Sequence, residues 1–150
     1  MIRYYVTDRN QADIFTCVTR AVRAGIDMIQ VREKDLSARD LFDVVSRIRD
    51  LAAGTKTRVL VNDRLDVALA AGVEGVHLPS NGLQPARARP FVKLLGVSTH
   101  TIQEAIAAEN AGADFILFGP IFPTPGKTAV GLEPLKQVVL SVKLPVLAIG

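Results

Sequence analysis

Three copies of one short pattern limit what this chain can fold into. Ala24-Gly-Ile-Asp27, Ala71-Gly-Val-Glu74 and Ala111-Gly-Ala-Asp114 each close a stretch of helical periodicity and lead directly into an apolar run. Glycine suits the left-handed position just past a helix end, so each copy reads as a helix stop followed by a strand. A chain that repeats this step is a βα protein. Short apolar strands alternating with amphipathic helices favour a parallel sheet covered on its outer face.

Seven runs qualify as strands, over 4–7, 28–32, 59–62, 75–78, 94–98, 115–119 and 145–149. Helical spacing links them: Ile14, Val18, Val22; Leu41, Val44, Val45, Ile48, Leu51; Val67 to Ala71; Ile102, Ala105, Ile106; and Leu132, Leu135, Val138, Val139, Val142. Ser37 three before Asp40 and Thr101 three before Glu104 resemble capping boxes that start two of these helices. The segment 84–90, broken by two prolines, is a poor helix.

Such units build either an open doubly wound sheet or most of a (β/α)8 barrel. A doubly wound nucleotide fold carries a glycine-rich turn after its first strand, whereas here Asp8-Arg-Asn follows. Polar residues are instead spread over many strand ends: Gln30, Arg32 and Lys34, then Asn62-Asp63, His77, Ser98 and His100, and the loop after the sixth strand. Barrel active sites are assembled from such loops at one rim.

The run Met28-Ile-Gln-Val-Arg-Glu-Lys34 is the richest of these ends. In a strand, Gln30, Arg32 and Lys34 project from one face, with Val31 and Glu33 on the other. An amide, a guanidinium and an ammonium so arranged can grip a diphosphate, each charge-assisted bond contributing about 1.5–3 kcal/mol. The plainer alternative is a solvated polar strand face.

Composition narrows the partners. With 18 basic and 15 acidic residues interspersed, and only 5% aromatic residues, the chain suits a small anionic substrate better than a nucleic acid. No apolar stretch approaches the roughly 20 residues of a membrane span, and no basic segment followed by an apolar core opens the chain, so a cytoplasmic enzyme is expected. Cys17 alone excludes an intrachain disulfide, and its apolar neighbours mark it as buried filler rather than a nucleophile. No linker divides residues 1–150, which read as one domain; the oligomeric state is left open.

Taken together, Tyr5-Val-Thr-Asp8, Gln30-Val-Arg-Glu-Lys-Asp-Leu-Ser37, Val61-Asn-Asp-Arg64, Gly75-Val-His-Leu78, Gly96-Val-Ser-Thr-His100, Gly119-Pro-Ile-Phe-Pro-Thr124 and Pro145-Val-Leu-Ala-Ile-Gly150 resemble the thiamine phosphate synthase family in order and spacing. The resemblance implies a (β/α)8 TIM barrel. It also implies an Mg2+-assisted transferase that joins a pyrimidine methyl diphosphate to a thiazole phosphate, giving thiamine phosphate and pyrophosphate. Carried over, Gln30, Arg32, Lys34 and Asn62 would bind the diphosphate, Asp63 would hold magnesium, and Ser98 and Lys127 would face the diphosphate. Thr124 and Gly150 would contact the thiazole phosphate.

Those roles agree with simple chemistry. Magnesium is often held by one or two protein carboxylates, with phosphate and water completing the shell. A departing diphosphate needs its charge stabilised, which Arg32, Lys34 and Lys127 can do without any nucleophilic side chain. The alternative for Asn62-Asp63 is a turn capping the next helix, and for Lys127 a solvated loop lysine. His77 reads as structural or as supporting the site, while His100, at the rim, is a candidate acid or base.

Three departures from the family pattern stand out. Pro79-Ser-Asn-Gly82 lacks the second magnesium carboxylate, with Asn81 offering only a neutral oxygen one position early. Gly126 stands where a threonine usually helps hold the thiazole phosphate. The sequence ends at Gly150, before the last helix-strand-helix portion, so the expected barrel is C-terminally incomplete, with about seven strands and six helices. A longer chain or a partner is then expected to supply the rest; otherwise strands one and seven expose edges and the flanking helices expose apolar faces. Two other readings remain open: a thiazole tautomerase using His100, which shares the Leu78-Pro79-Ser80 pattern, and a non-catalytic barrel that binds a thiamine precursor.

Overall fold

A computed structural model describes residues 1–126 and 128–150. Residue contacts group the chain into two compact units, Met1–Val76 and His77–Gly150. The first unit contains β1 (Tyr4–Val6), α1 (Ile14–Arg23), β2 (Met28–Val31), α2 (Ala38–Ala52), β3 (Arg58–Asn62) and α3 (Leu65–Ala71). The three strands are parallel and adjacent in sequence order. Tyr4 pairs with Met28 and Val6 with Gln30, then Met28 with Arg58 and Val31 with Val61.

Strand β4 (Gly75–Leu78) runs from the end of the first unit into the second. The second unit continues with α4 (Pro85–Ala88), a 3₁₀ turn (Arg89–Phe91), β5 (Leu94–Thr99), α5 (Ile102–Asn110), β6 (Phe115–Phe118), α6 (Leu132–Ser141) and β7 (Val146–Ala148). β5, β6 and β7 are parallel neighbours, with Gly96 opposite Phe115 and Ile116 opposite Val146. No helix among the described residues is long and apolar enough to cross a membrane.

All three Ala-Gly-x-acid segments do more than stop a helix. Gly25, Gly72 and Gly112 have φ of 71°, 66° and 86°, the left-handed region where a Cβ would be strained. The chain then folds back, with Ile26 N, Val73 N and Ala113 N donating to the carbonyls of Ala21, Ala68 and Ala108. The acid that follows reaches the neighbouring strand. Asp27 Oδ2 accepts from Arg3 N at 2.7 Å, Glu74 Oε2 from Val59 N at 2.9 Å, and Asp114 Oδ2 from Leu95 N at 2.7 Å. Each carboxylate thus satisfies an N–H at or just before the start of a strand, where the ladder has no carbonyl to offer it.

Both expected N-caps form. Ser37 Oγ accepts from Asp40 N and Thr101 Oγ1 from Glu104 N, each at 3.1 Å. Glu104 reaches back to His100 N at 2.6 Å, one residue before the cap.

The cores follow the expected faces. Val18, Ile29, Val45, Ile48, Leu60 and Val61 have no exposed surface in the first unit, nor do Leu78, Leu95, Ile116, Phe118 and Val138 in the second. Removing each such side chain from water contributes about 1.5–3 kcal/mol.

Four expectations change. Strands 1, 2, 6 and 7 are shorter than their expected runs, ending before Thr7, Arg32, Gly119 and Ile149, and β7 starts only after Pro145. The segment 84–90 does make one helical turn, with Pro85 at its first position, where a missing N–H is harmless. On α6, Val138 and Val142 are buried, but Leu132 and Val139 are 65% and 52% exposed, beside Leu140 at 78%. β7 is likewise only half-buried to exposed. Cys17 is half-buried beside Tyr5 rather than fully enclosed.

Candidate active site

In the first unit, the polar residues expected at the ends of β2 and β3 come together through register. Val31 lies opposite Val61, the last pair of the ladder, and Arg32 and Asn62 each follow that pair directly. The alternation continues past the last ladder residue, with Arg32 and Lys34 exposed and Val31 and Glu33 buried. Among the described residues neither the Arg32 guanidinium nor the Lys34 ammonium pairs with a carboxylate. Exposed cations without a carboxylate partner are free to take an anionic ligand.

Gln30 behaves differently. It is 2% exposed, and its Nε2 donates to Tyr4 Oη at 2.8 Å. Burial pushes the Tyr4 hydroxyl well above its ordinary pKa, so it stays neutral and accepts this bond. The amide is therefore held within the fold by a residue on β1 that no local pattern singles out.

Asp63 is the only non-glycine residue with positive φ (61°) among those described. Arg64 N donates to Asn62 O at 2.8 Å, closing a tight three-residue turn around it. Neither Asn62 nor Asp63 caps α3, whose N-cap is Arg64 with no side-chain bond, so the capping alternative fails. Arg64 is instead committed to Asp66, at 2.6 and 2.9 Å. That bond holds the Asp66 carboxyl below its usual range. The Asp63 carboxylate is exposed and has no hydrogen bond or ion pair in the described chain. A strained backbone presenting an unpartnered carboxylate is the kind of feature that marks functional turns.

No cluster of three or more His, Cys, Asp or Glu able to hold a metal occurs among the described residues. The donor set here is one carboxylate with a neighbouring amide. That fits a magnesium ion that takes most of its oxygens from phosphate and water, and it does not fit a cage built from protein alone.

In the second unit, His77 is 1% exposed and its Nε2 lies 2.8 Å from Ser98 Oγ. The ring leans on Phe115 with centroids 5.9 Å apart at 47°. Gly96 makes room for both, since a Cβ there would fall 2.3 Å from Phe115 Cζ and 2.7 Å from His77 Nδ1. His77 thus contacts Ser98, a pairing that the sequence did not indicate.

His100 is half-buried, with Nδ1 2.5 Å from the Gly119 carbonyl. A carbonyl only accepts, so Nδ1 donates in this contact, and Nε2 is the ring nitrogen left for another partner. The loop after β6 is tied to the end of the chain by Ile121 N donating to Ile149 O at 2.8 Å. Gly150 has φ of 110°, and a Cβ there would lie 2.8 Å from both Ile121 N and Pro120 Cα. Thr124 is half-buried in the same loop, Asn81 is exposed, and Lys127 lies outside the described residues.

The signals missed in the sequence are Tyr4, Thr7 and Arg9. Only Glu33 could have pointed to the last two, because a carboxylate on the inward face of a strand must find donors.

Comparison with known proteins points to one family. The family model described as thiamine monophosphate synthase matches residues 3–150. The chain is 43% identical to a Geobacter sulfurreducens relative, over 98% of this chain and 74% of that one. It is 36% identical to a thiamine-phosphate synthase of Desulfitobacterium hafniense, over 98% of this chain and 76% of the relative. The solved thiamine phosphate pyrophosphorylase from Pyrococcus furiosus superposes with a TM-score of 0.92 at 35% identity, covering 99% of this chain and 74% of that one. The fold is thus of the (β/α)8 TIM-barrel class, incomplete, with seven strands and six helices among the described residues.

Proposed function

This chain belongs to the thiamine monophosphate synthase family, and we propose that it couples a pyrimidine methyl diphosphate to a thiazole phosphate, as a cytoplasmic transferase. In that reaction the bond from the pyrimidine methylene carbon to the diphosphate oxygen breaks. A bond from the same carbon to the thiazole ring nitrogen forms, and pyrophosphate leaves with the electron pair. The observation that carries the reading is that the paired ends of β2 and β3 lead directly into exposed Arg32 and Lys34, which have no carboxylate partner among the described residues, and into Asn62 and the exposed Asp63.

In the first unit Arg32 and Lys34 take the diphosphate oxygens and hold the charge that grows on them as the carbon–oxygen bond lengthens. Asn62 adds an amide donor, and Gln30, held by Tyr4, supports the same face. Asp63 would hold Mg2+, which when bound supplies further charge neutralisation on the diphosphate. In the second unit Ser98 lies beside His77, and Ser98, Lys127, Thr124 and Gly150 keep the phosphate-binding roles that the family resemblance implies.

Calorimetric titration with the pyrimidine methyl diphosphate, with and without Mg2+, tests this reading. Magnesium-dependent binding that disappears in Arg32→Ala supports it, and a folded wild type that binds nothing overturns it. A second reading, a thiazole tautomerase, draws on the His100 geometry, whose Nδ1–H bond leaves Nε2 free to move a proton. A tautomerase loses nearly all activity in His100→Ala, whereas a synthase suffers most in Arg32→Ala and Asp63→Ala.

A further inference from the structure

Glu33 is a carboxylate only 4% exposed, on the face of the β2 extension turned away from the proposed anion site. A buried carboxylate carries a desolvation penalty unless every lone pair is used, and here the donors are present. Thr7 Oγ1 donates to Glu33 Oε1 at 2.7 Å. Arg9 N lies 3.2 Å from both carboxylate oxygens, and Arg9 Nη1 lies 3.2 Å from Oε2.

One of these donors leads to the site. The Thr7 hydroxyl has a single proton, and Glu33 takes it, so the hydroxyl oxygen turns its lone pairs the other way. There it accepts from Arg32 N at 3.0 Å. Thr7 N in turn donates to Gln30 O at 3.0 Å, which carries the ladder one step beyond the last strand pair. Arg9 completes the frame by binding Asp35 as well, its Nη1 2.6 Å from Oδ1. The two acids that alternate with Arg32 and Lys34 are thus spent on Arg9, and the two cations are left for a ligand.

We infer that Glu33 is a positioning residue for the diphosphate site: through the Thr7 hydroxyl it fixes the backbone from which Arg32 projects, and through Arg9 it keeps both acids off Arg32 and Lys34. The inference rests on the synthase reading of that site. It assigns no direct contact with substrate to Glu33, Thr7 or Arg9.

The test is binding of inorganic pyrophosphate to the whole chain by calorimetry, with thermal unfolding measured alongside. Glu33→Gln keeps the shape but sets an amide N–H against the Arg9 donors, and Thr7→Val keeps the shape but removes both hydroxyl bonds. Each is expected to weaken pyrophosphate binding about tenfold, whereas Thr7→Ser, which retains both bonds, binds like wild type. A purely structural role predicts instead that affinity follows thermal stability across the set, with no rescue by serine.

If wild type binds pyrophosphate and folded Glu33→Gln and Thr7→Val bind it equally well, the inference is overturned while the synthase reading stands. If Glu33→Gln does not fold, the Thr7→Val and Thr7→Ser pair decides by the same criterion. If folded wild type does not bind pyrophosphate at all, the synthase reading fails and this inference fails with it.

Discussion

His77 Nε2 and Ser98 Oγ stand 2.8 Å apart, on residues 21 positions apart in the chain. The contact depends on Gly96, because the His77 and Phe115 rings occupy the space its missing Cβ leaves. Gly96→Ala is therefore expected to destabilise the protein by about 1–3 kcal/mol through overpacking. Urea unfolding measures this, and unchanged stability would show that the rings repack freely.

Asp63 combines a left-handed backbone with a carboxylate that has no hydrogen bond or ion pair among the described residues. Asp63→Gly should leave stability unchanged or raise it by up to about 1 kcal/mol, since glycine adopts this φ without strain. The same variant should lose the magnesium dependence of substrate binding. A clear loss of stability would instead mean that the carboxylate is structural.

Asp114 Oδ2 accepts both Leu95 N and Arg89 Nη1 at 2.7 Å. Asp114→Ala should cost about 1–3 kcal/mol by leaving the Leu95 amide unsatisfied, with Asp114→Asn recovering part of it. Equal losses for the two variants would assign the effect to the Arg89 ion pair.

Thr101→Ala removes the side-chain cap of α5 and should cost about 0.5–2 kcal/mol. Thermal unfolding of Thr101→Ala beside Thr101→Ser separates the lost cap from a general effect of substitution.

Asp13 and Asp66 are both held below the usual carboxyl range, Asp13 by its bonds to Thr16 and Asp66 by its bond to Arg64. A folded pKa below the unfolded one gives stability that is complete above the unfolded value of about 3.9 and is lost as pH falls through the folded value. Stability should therefore decline progressively below about pH 5, and Asp66→Asn should flatten that decline. A decline of the same steepness in the variant would remove Asp66 from the account.

What the sequence determined by itself was everything carried by local spacing: the alternation of strands and helices, the glycine helix stops, the Ser37 and Thr101 caps, and the alternation that exposes Arg32 and Lys34. Period and capping depend on neighbours within a few residues, so they can be read from the chain directly. Tertiary structure alone decided that Tyr4 holds Gln30, that Glu33 gathers Thr7 and Arg9, and that His77 meets Ser98. It also decided that Leu132 and Val139 of the apolar spacing on α6 face outward. Each of these depends on register between strands or on which face a helix finds covered, and both are set by contacts between residues distant in sequence, which no local pattern encodes.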